Sequence, residues 1–288
     1  MKNLGFRTGV ASFIVAAMLT TSTTLAAPQQ AQADAPATQV IVGEGVVTFS
    51  KPARLLNLYQ IAQLDPSAYW PSSRLISSTQ TNKLQQRRQF MLEQLSDLAQ
   101  SAFIQGEEEL AAAARAYAAQ IPGWPLIGAE WVGVTKIDDR LDVQSGVDVE
   151  RPSLYSSFNG AVANLQANPQ LPEGQLQFLP PADLGPWQVT VISPAGVQQF
   201  NFDETDTVRG ILQRAGSFSE NYDLAEVTLV SLTGLSRTTH VAYYNDDEAL
   251  PPVHGIIFVG LDVSNMNAGW QQVNAQLAAL LSYWNPQS

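Results

Sequence analysis

The chain has 288 residues, 45% of them hydrophobic, with 15 basic against 26 acidic side chains and a formal charge of −11. It contains no cysteine, which excludes disulfides, thiolate metal sites and attachment through a lipidated cysteine. A chain this acidic, with no Lys/Arg run, is a poor partner for nucleic acid or anionic lipid, while its length suffices for two modest domains.

The first residues follow the layout of an export signal. Lys2 and Arg7 make a short basic start, Val10 to Leu19 is apolar, and a Ser/Thr stretch leads to the small residues of Thr24-Leu25-Ala26. The apolar run of about ten residues is half the roughly 20 that a spanning helix needs. Cleavage after Ala26 is therefore expected, with export to the periplasm and a signal at 1–26. Gln29 to Thr38 is rich in Gln, Ala and Pro without periodicity, and 27–38 reads as a flexible leader.

Gln39 to Val42 and Val46 to Phe49 are β-branched runs around Gly43-Glu44-Gly45, the pattern of a hairpin. Pro52 then opens a helical stretch carrying Leu55, Leu56, Tyr59 and Ile61. The same layout returns at Val189 to Ile192, the turn Ser193-Pro194-Ala195-Gly196, and Val197 to Phe202. Asp206 is the expected N-cap of a helix with Val208, Ile211 and Leu212, and Gly216 lies just past its end. Strands are expected at Glu226 to Leu232, His240 to Tyr244 and Gly255 to Leu261. Hairpin, helix, then further strands is the order of a β-grasp unit. Its double appearance predicts an α+β protein with two β-grasp-like domains, one over 39–77 plus 123–180 and one over 181–262.

Between the layouts, Leu84, Met91, Leu95, Leu98 and Ala102 recur at helical spacing, as do Leu110, Ala114, Tyr117 and Ile121 after Gly106. This predicts an inserted helical hairpin over 78–122, stopped by Pro122-Gly123. Glu107, Glu108 and Glu109 sit in the second helix's first turn, where the helix dipole favours negative charge. From 124 to 178 the pattern weakens, with strands expected at Glu130 to Lys136 and Gln175 to Phe178.

In the final segment, 263–288, Trp270, Val273, Leu277, Leu280, Leu281 and Trp284 line one face of an amphipathic helix expected from about Ala268 to Trp284. Gln271, Gln272, Asn274 and Gln276 lie mostly opposite, and no charged side chain follows Asp262. A solvated helix ordinarily carries Lys or Glu on its wet face, so this uncharged face needs a reason. Trp270, Leu277 and Trp284 are expected either to dock on the protein's own body or to face a partner. The stripe is about 25 Å long at roughly 1.5 Å per residue, short of a hydrocarbon core of roughly 30 Å. Lipid would leave its glutamines unpaired. No stable membrane insertion is expected, and the protein should be a monomer or small oligomer.

Catalytic motifs are missing from the sequence. His240 and His254 are the only histidines, neither has a second ligand at metal-site spacing, and no HExxH, GxSxG, P-loop or dinucleotide fingerprint occurs. Asp138-Asp139 and Asp246-Asp247-Glu248 put carboxylates side by side, whereas glycosidases hold a pair roughly 5 to 10 Å apart on opposite sides of a sugar. The expectation is a binding protein with no catalytic residue, metal or cofactor. Aromatic side chains are the better lead, because sugar rings stack on exposed aromatic faces. Tyr69-Trp70 is the main candidate for such contact, and Trp124, Trp131, Trp187, Tyr243 and Tyr244 are further aromatics.

Several segments resemble a known family. Tyr69-Trp70-Pro71-Ser72-Ser73-Arg74-Leu75-Ile76 before the helical hairpin is similar to the Trp-Trp-Pro-Gly segment of the GfcC family of capsule-biosynthesis proteins. Asn168-Pro169-Gln170-Leu171-Pro172-Glu173-Gly174 resembles its Asn-Pro-Pro-Leu-x-Gly loop, and His254-Gly255-Ile256-Ile257-Phe258-Val259-Gly260-Leu261 its closing segment. The matches keep the same order through nearly all of the chain beyond the signal. The resemblance implies a periplasmic protein with two β-grasp domains, an inserted helical hairpin and a C-terminal amphipathic helix. It also implies a role in capsule or exopolysaccharide assembly without assigned catalysis, with a polysaccharide or an outer-membrane polysaccharide exporter as partner. The alternatives are a polysaccharide-modifying enzyme and a structural or envelope-stress protein with no glycan role. Two departures matter. The family's Gly-Arg step after the hairpin is absent, since Trp124 follows Gly123, and the nearest arginine with similar followers is Arg140, which joins Tyr69 and Trp70 as a contact candidate. The family's Trp-Asn-Lys-Arg-His appears as Tyr244-Asn245-Asp246-Asp247-Glu248, so a basic contact at that loop does not carry over.

Overall fold

The computed structural model describes residues 38–61, 72–132, 153–154, 158–217 and 224–286. Their first elements are the expected hairpin, β1 (Thr38–Val42) and β2 (Gly45–Phe49), followed by helix α1 (Leu55–Ile61). Strand β3 (Arg74–Ser77) leads into two helices, α2 (Ser78–Ile104) and α3 (Glu108–Gln120). After them come β4 (Ala129–Val132), β5 (Ser153–Leu154), α4 (Phe158–Ala163) and β6 (Gly174–Leu179). These strands form one mixed sheet in the order β2-β1-β6-β3-β4-β5, with β6 parallel to β1 and antiparallel to β3.

A second mixed sheet contains β7 (Gln188–Ser193), β8 (Gly196–Asn201), β9 (Glu226–Val230), β10 (Ser236–His240) and β11 (Ile256–Phe258), with α5 (Val208–Arg214) after the hairpin. Its order is β10-β9-β11-β7-β8, and its last strand again lies parallel to its first. Both sheets thus share one plan: a hairpin, a helix, and a closing strand inserted between the hairpin's first strand and a later antiparallel pair.

Alternation along the central strands of the second sheet decides how the layers stack. Val189, Val191, Val227, Leu229 and Ile257 point to a core shared with Val208, Ile211 and Leu212 of α5. Ile192, Val230, Ile256 and Phe258 point to the other side. There they meet Leu84, Met91, Leu95 and Leu98 of α2 and Ala114 and Tyr117 of α3. The helices lying in sequence between two strands of the first sheet therefore cover the back of the second. The first sheet keeps its own core of Val40, Leu55, Leu58, Leu75, Leu176 and Phe178.

Buried polar groups fix the junctions. Ser77 caps α2 by accepting the Gln80 amide at 3.2 Å. A Cβ added at Gly128, just before β4, would lie 2.3 Å from the Thr81 Cα, so the chain passes flush against α2. Arg74, 2% exposed, donates to the Ser73 carbonyl at 2.8 Å and to the Leu232 carbonyl at 2.7 Å, linking β3 to the loop after β9. The Tyr117 hydroxyl donates to the Val259 carbonyl, tying α3 to the segment after β11.

Some expectations move. The N-cap of α5 is Thr207, whose hydroxyl accepts the Gly210 amide at 3.1 Å; Asp206 instead accepts from the Asp203 amide and from Arg214. The strand expected over His240 to Tyr244 is Ser236–His240, and His240 is its last residue. The expected continuous helix from Ala268 is broken into a 3-10 turn, Ala268–Trp270, and α6, Val273–Leu281. Gly269 weakens helical continuity there, and the Gln271 side chain is drawn to the Val263 and Met266 carbonyls.

Candidate functional site

The aromatic candidates separate by exposure. Tyr69, Trp70 and Arg140 lie outside the described residues, as do the signal and nearly all of the leader. Trp124 is buried and packs edge-on against Tyr117 at 6.4 Å between ring centres. Trp187 is half-covered by Phe202. Tyr243 and Tyr244 stand out, at 90% and 72% exposed. Two adjacent aromatics left this open gain nothing from burial.

The loop that carries them is tightly held. The Asp247 carboxylate accepts the His240 amide at 2.8 Å and the Thr239 hydroxyl at 3.0 Å, and lies 3.3 Å from the His240 Nδ1. The Asp247 amide returns a bond to the His240 carbonyl at 3.2 Å. The Asn245 amide closes a turn onto the Ala242 carbonyl, and the Glu248 amide is taken by Asp246 Oδ1. Below the loop, the Arg209 guanidinium of α5 donates to the Val241 carbonyl and sits 5.8 Å from the centre of the Tyr243 ring. Hydrogen bonds from the His240 amide, and then from Thr239, hold the Asp247 carboxyl below the ordinary aspartate value. Asp247 is thus an ionised anchor for the loop.

The final helix is seated on the chain's own body. Leu277 is fully buried and Trp284 nearly so, in the core shared with α2, α3 and the back of the second sheet; Trp270 is half-buried at its edge. Past the helix the chain runs antiparallel to the segment after α3. The Ile127 amide donates to the Tyr283 carbonyl at 2.9 Å and the Asn285 amide to the Pro125 carbonyl at 2.8 Å. Arg87 of α2 covers the Tyr283 ring at 5.9 Å. Among the described residues, no helix is long and apolar enough to cross a membrane.

Two further titratable groups are perturbed by burial. Desolvation raises Glu130 above the ordinary glutamate value, against the Gln80 amide at 3.2 Å and the Lys83 charge, which pull it down. Desolvation lowers His254, against the Asp183 charge. Glu130 belongs to β4 beside α2, and His254 to the approach to β11, so the two serve separate sheets. Among the described residues, no group of three or more His, Asp or Glu side chains is placed to hold a metal ion. The sequence showed Tyr243 and Tyr244 as aromatics, but their exposure and the Asp247 clamp had no signal in it.

These features define an α+β protein built on one sheet plan used twice, with a clamped aromatic loop beside the second sheet. The N-terminal model for capsule biosynthesis GfcC matches residues 34–147, and the C-terminal model matches residues 196–285. The chain belongs to the GfcC family, and with it to capsule biosynthesis. Comparison with curated proteins gives no match.

Proposed function

We propose that the protein is an exported, periplasmic accessory factor of capsule or exopolysaccharide assembly, binding glycan or the export machinery without catalysis. In this reading each sheet with its helix is a β-grasp unit, and α2 with α3 is a helical hairpin inserted into the first. The support is the shared strand order and the parallel pairing of first and last strands in both sheets. The observation that carries the binding role is the exposed Tyr243–Tyr244 pair on a loop fixed by Asp247 and backed by Arg209. Rigid, solvent-facing rings suit stacking on sugar faces, since little conformational freedom is lost on contact. The commitment of Asp247 to the loop argues against its use as an acid or base.

Deletion of the gene, with surface polysaccharide measured, tests the role. Loss of polysaccharide that returns with the wild-type gene, but not with a stably produced Tyr243→Ala/Tyr244→Ala variant, is the expected result. Unchanged polysaccharide under inducing conditions overturns the role. Turnover of the purified polysaccharide by the protein overturns the non-catalytic reading.

A further inference from the structure

The uncharged face of the final helix lines a groove. On its inner side α6 is buried by Val273, Leu277, Leu280 and Leu281. Its outer side forms one wall of an open groove of about 1550 Å³ that runs between α2, the β9–β10 pair and the segment after β11. Two amides on that side are committed to the wall itself. Asn274 exchanges hydrogen bonds with the Leu261 backbone at 2.8 Å in each direction, and Gln271 donates to the Val263 carbonyl at 2.7 Å. Gln272 and Gln276, one helical turn apart, line the groove and make no side-chain hydrogen bond among the described residues. Phe90 of α2 is 49% exposed and lines the same groove.

We propose that this groove binds an uncharged glycan segment, with the Gln272 and Gln276 amides reading hydroxyls and Phe90 offering an aromatic face. The inference rests on the glycan role proposed above and assigns it a site and a substrate class. A carboxamide both donates and accepts, which matches a sugar hydroxyl without the desolvation cost of a charged group. The groove exceeds the roughly 300 to 1,000 Å³ of a small-molecule pocket, as an extended chain requires. Its charged lining consists of Glu107, Glu109, Glu226 and Asp262 against Arg87 and Arg237. Together with a chain charge of −11, this balance repels an acidic polymer. The missing Lys and Glu on the helix's wet face follow directly, because that face is a binding wall.

Affinity electrophoresis of the full chain tests this, with gels containing dextran, laminarin, yeast mannan or a galactan as neutral probes and polygalacturonate as the acidic one. The expected result is retardation by at least one neutral polymer and none by polygalacturonate. Gln272→Ala/Gln276→Ala should weaken that binding about tenfold, the loss for two amide hydrogen bonds, with an unchanged melting temperature. Phe90→Ala, on α2, should weaken it independently. Failure of every neutral polymer to retard the wild type, or preference for polygalacturonate, overturns the inference. Retention of binding in both groove variants, with its loss in Tyr243→Ala/Tyr244→Ala, overturns the groove while leaving the proposed function standing.

Discussion

Asn274 and Leu261 bind each other twice. The Leu261 amide donates to Asn274 Oδ1 and Asn274 Nδ2 donates to the Leu261 carbonyl, both at 2.8 Å. A side-chain amide thus acts as the strand partner that the chain lacks just after β11, and it pins α6 at one point along its length. The approach is close enough that a Cβ at Gly260 would fall 2.8 Å from Asn274 Nδ2. Asn274→Ala should lose about 1–3 kcal/mol by stranding two backbone groups. Gly260→Ala should also destabilise, but less in the Asn274→Ala background, where the obstructing amide is gone. Urea melts of the two single variants and the double variant measure that coupling, and strict additivity would show that the two positions do not meet.

Leu277 and Trp284 anchor the same element in the core behind the second sheet. Leu277→Ala should cost about 2–5 kcal/mol and Trp284→Ala about 3–5 kcal/mol, because each empties a packed site. Exposed aromatics give the contrast: Tyr243→Ala and Tyr244→Ala should shift stability by no more than about 0.5 kcal/mol. Thermal or urea denaturation separates the two groups. Indifference to Leu277→Ala would mean that α6 is not seated as described.

Glu130 carries a pH dependence of definite sign. Its folded-state value is raised above the usual glutamate value of 4.5, chiefly by burial, so the folded state holds the proton longer than the unfolded one. Stability should therefore fall as pH rises from 4.5 through the folded-state value, then level off. Glu130→Gln removes the ionisation and should stabilise the protein at pH 7, with the gain fading below pH 4.5. Urea midpoints of wild type and variant across that range give the comparison, and parallel curves would refute it.

Asp247 has the opposite sign. Its value is held below the usual aspartate value of 3.8 by the His240 amide and the Thr239 hydroxyl. The loop clamp should persist above pH 3.8 and open as pH falls through the lower folded value. The His240 amide resonance, followed by NMR, should show a transition in that acid range. In Asp247→Asn the acid transition should vanish, and the Tyr243 and Tyr244 resonances should show loop motion already at neutral pH. An unaltered acid transition in that variant would place the clamp elsewhere.

Much of the fold was legible because apolar spacing has only two common periods. The hairpins at β1–β2 and β7–β8 and the helices α2 and α3 fall where alternation and three-to-four-residue spacing put them. Strand β3 was not legible. Its sequence is Arg74-Leu75-Ile76-Ser77 after two serines, yet it lies inside the sheet between β6 and β4, with its arginine buried and paired to carbonyls. Strand β10 was misplaced because Val241 to Tyr244 looks more apolar than Ser236 to His240. An edge strand needs few apolar residues, and the apolar stretch became the loop. Asp206 and Thr207 are both good caps by type, and bonds from the Asp203 amide and from Arg214 draw Asp206 away. For α6 the pattern showed that one face must be covered without showing by what.

The core behind the second sheet sets the order in which the chain becomes stable. Residues of α2 and α3 fall within the first matched family segment, while β9, β11 and the final helix that cover them fall within the second and β7, which adds Ile192, lies between the two. During synthesis the earlier helices emerge with only each other to cover Leu84, Met91, Leu95 and Tyr117, and the strands and final helix that complete the core follow much later in the chain. Neither segment should therefore fold when expressed alone or when exchanged for a relative's. Chimeras cut between 147 and 196 should aggregate unless α2, α3 and α6 travel together with the second sheet.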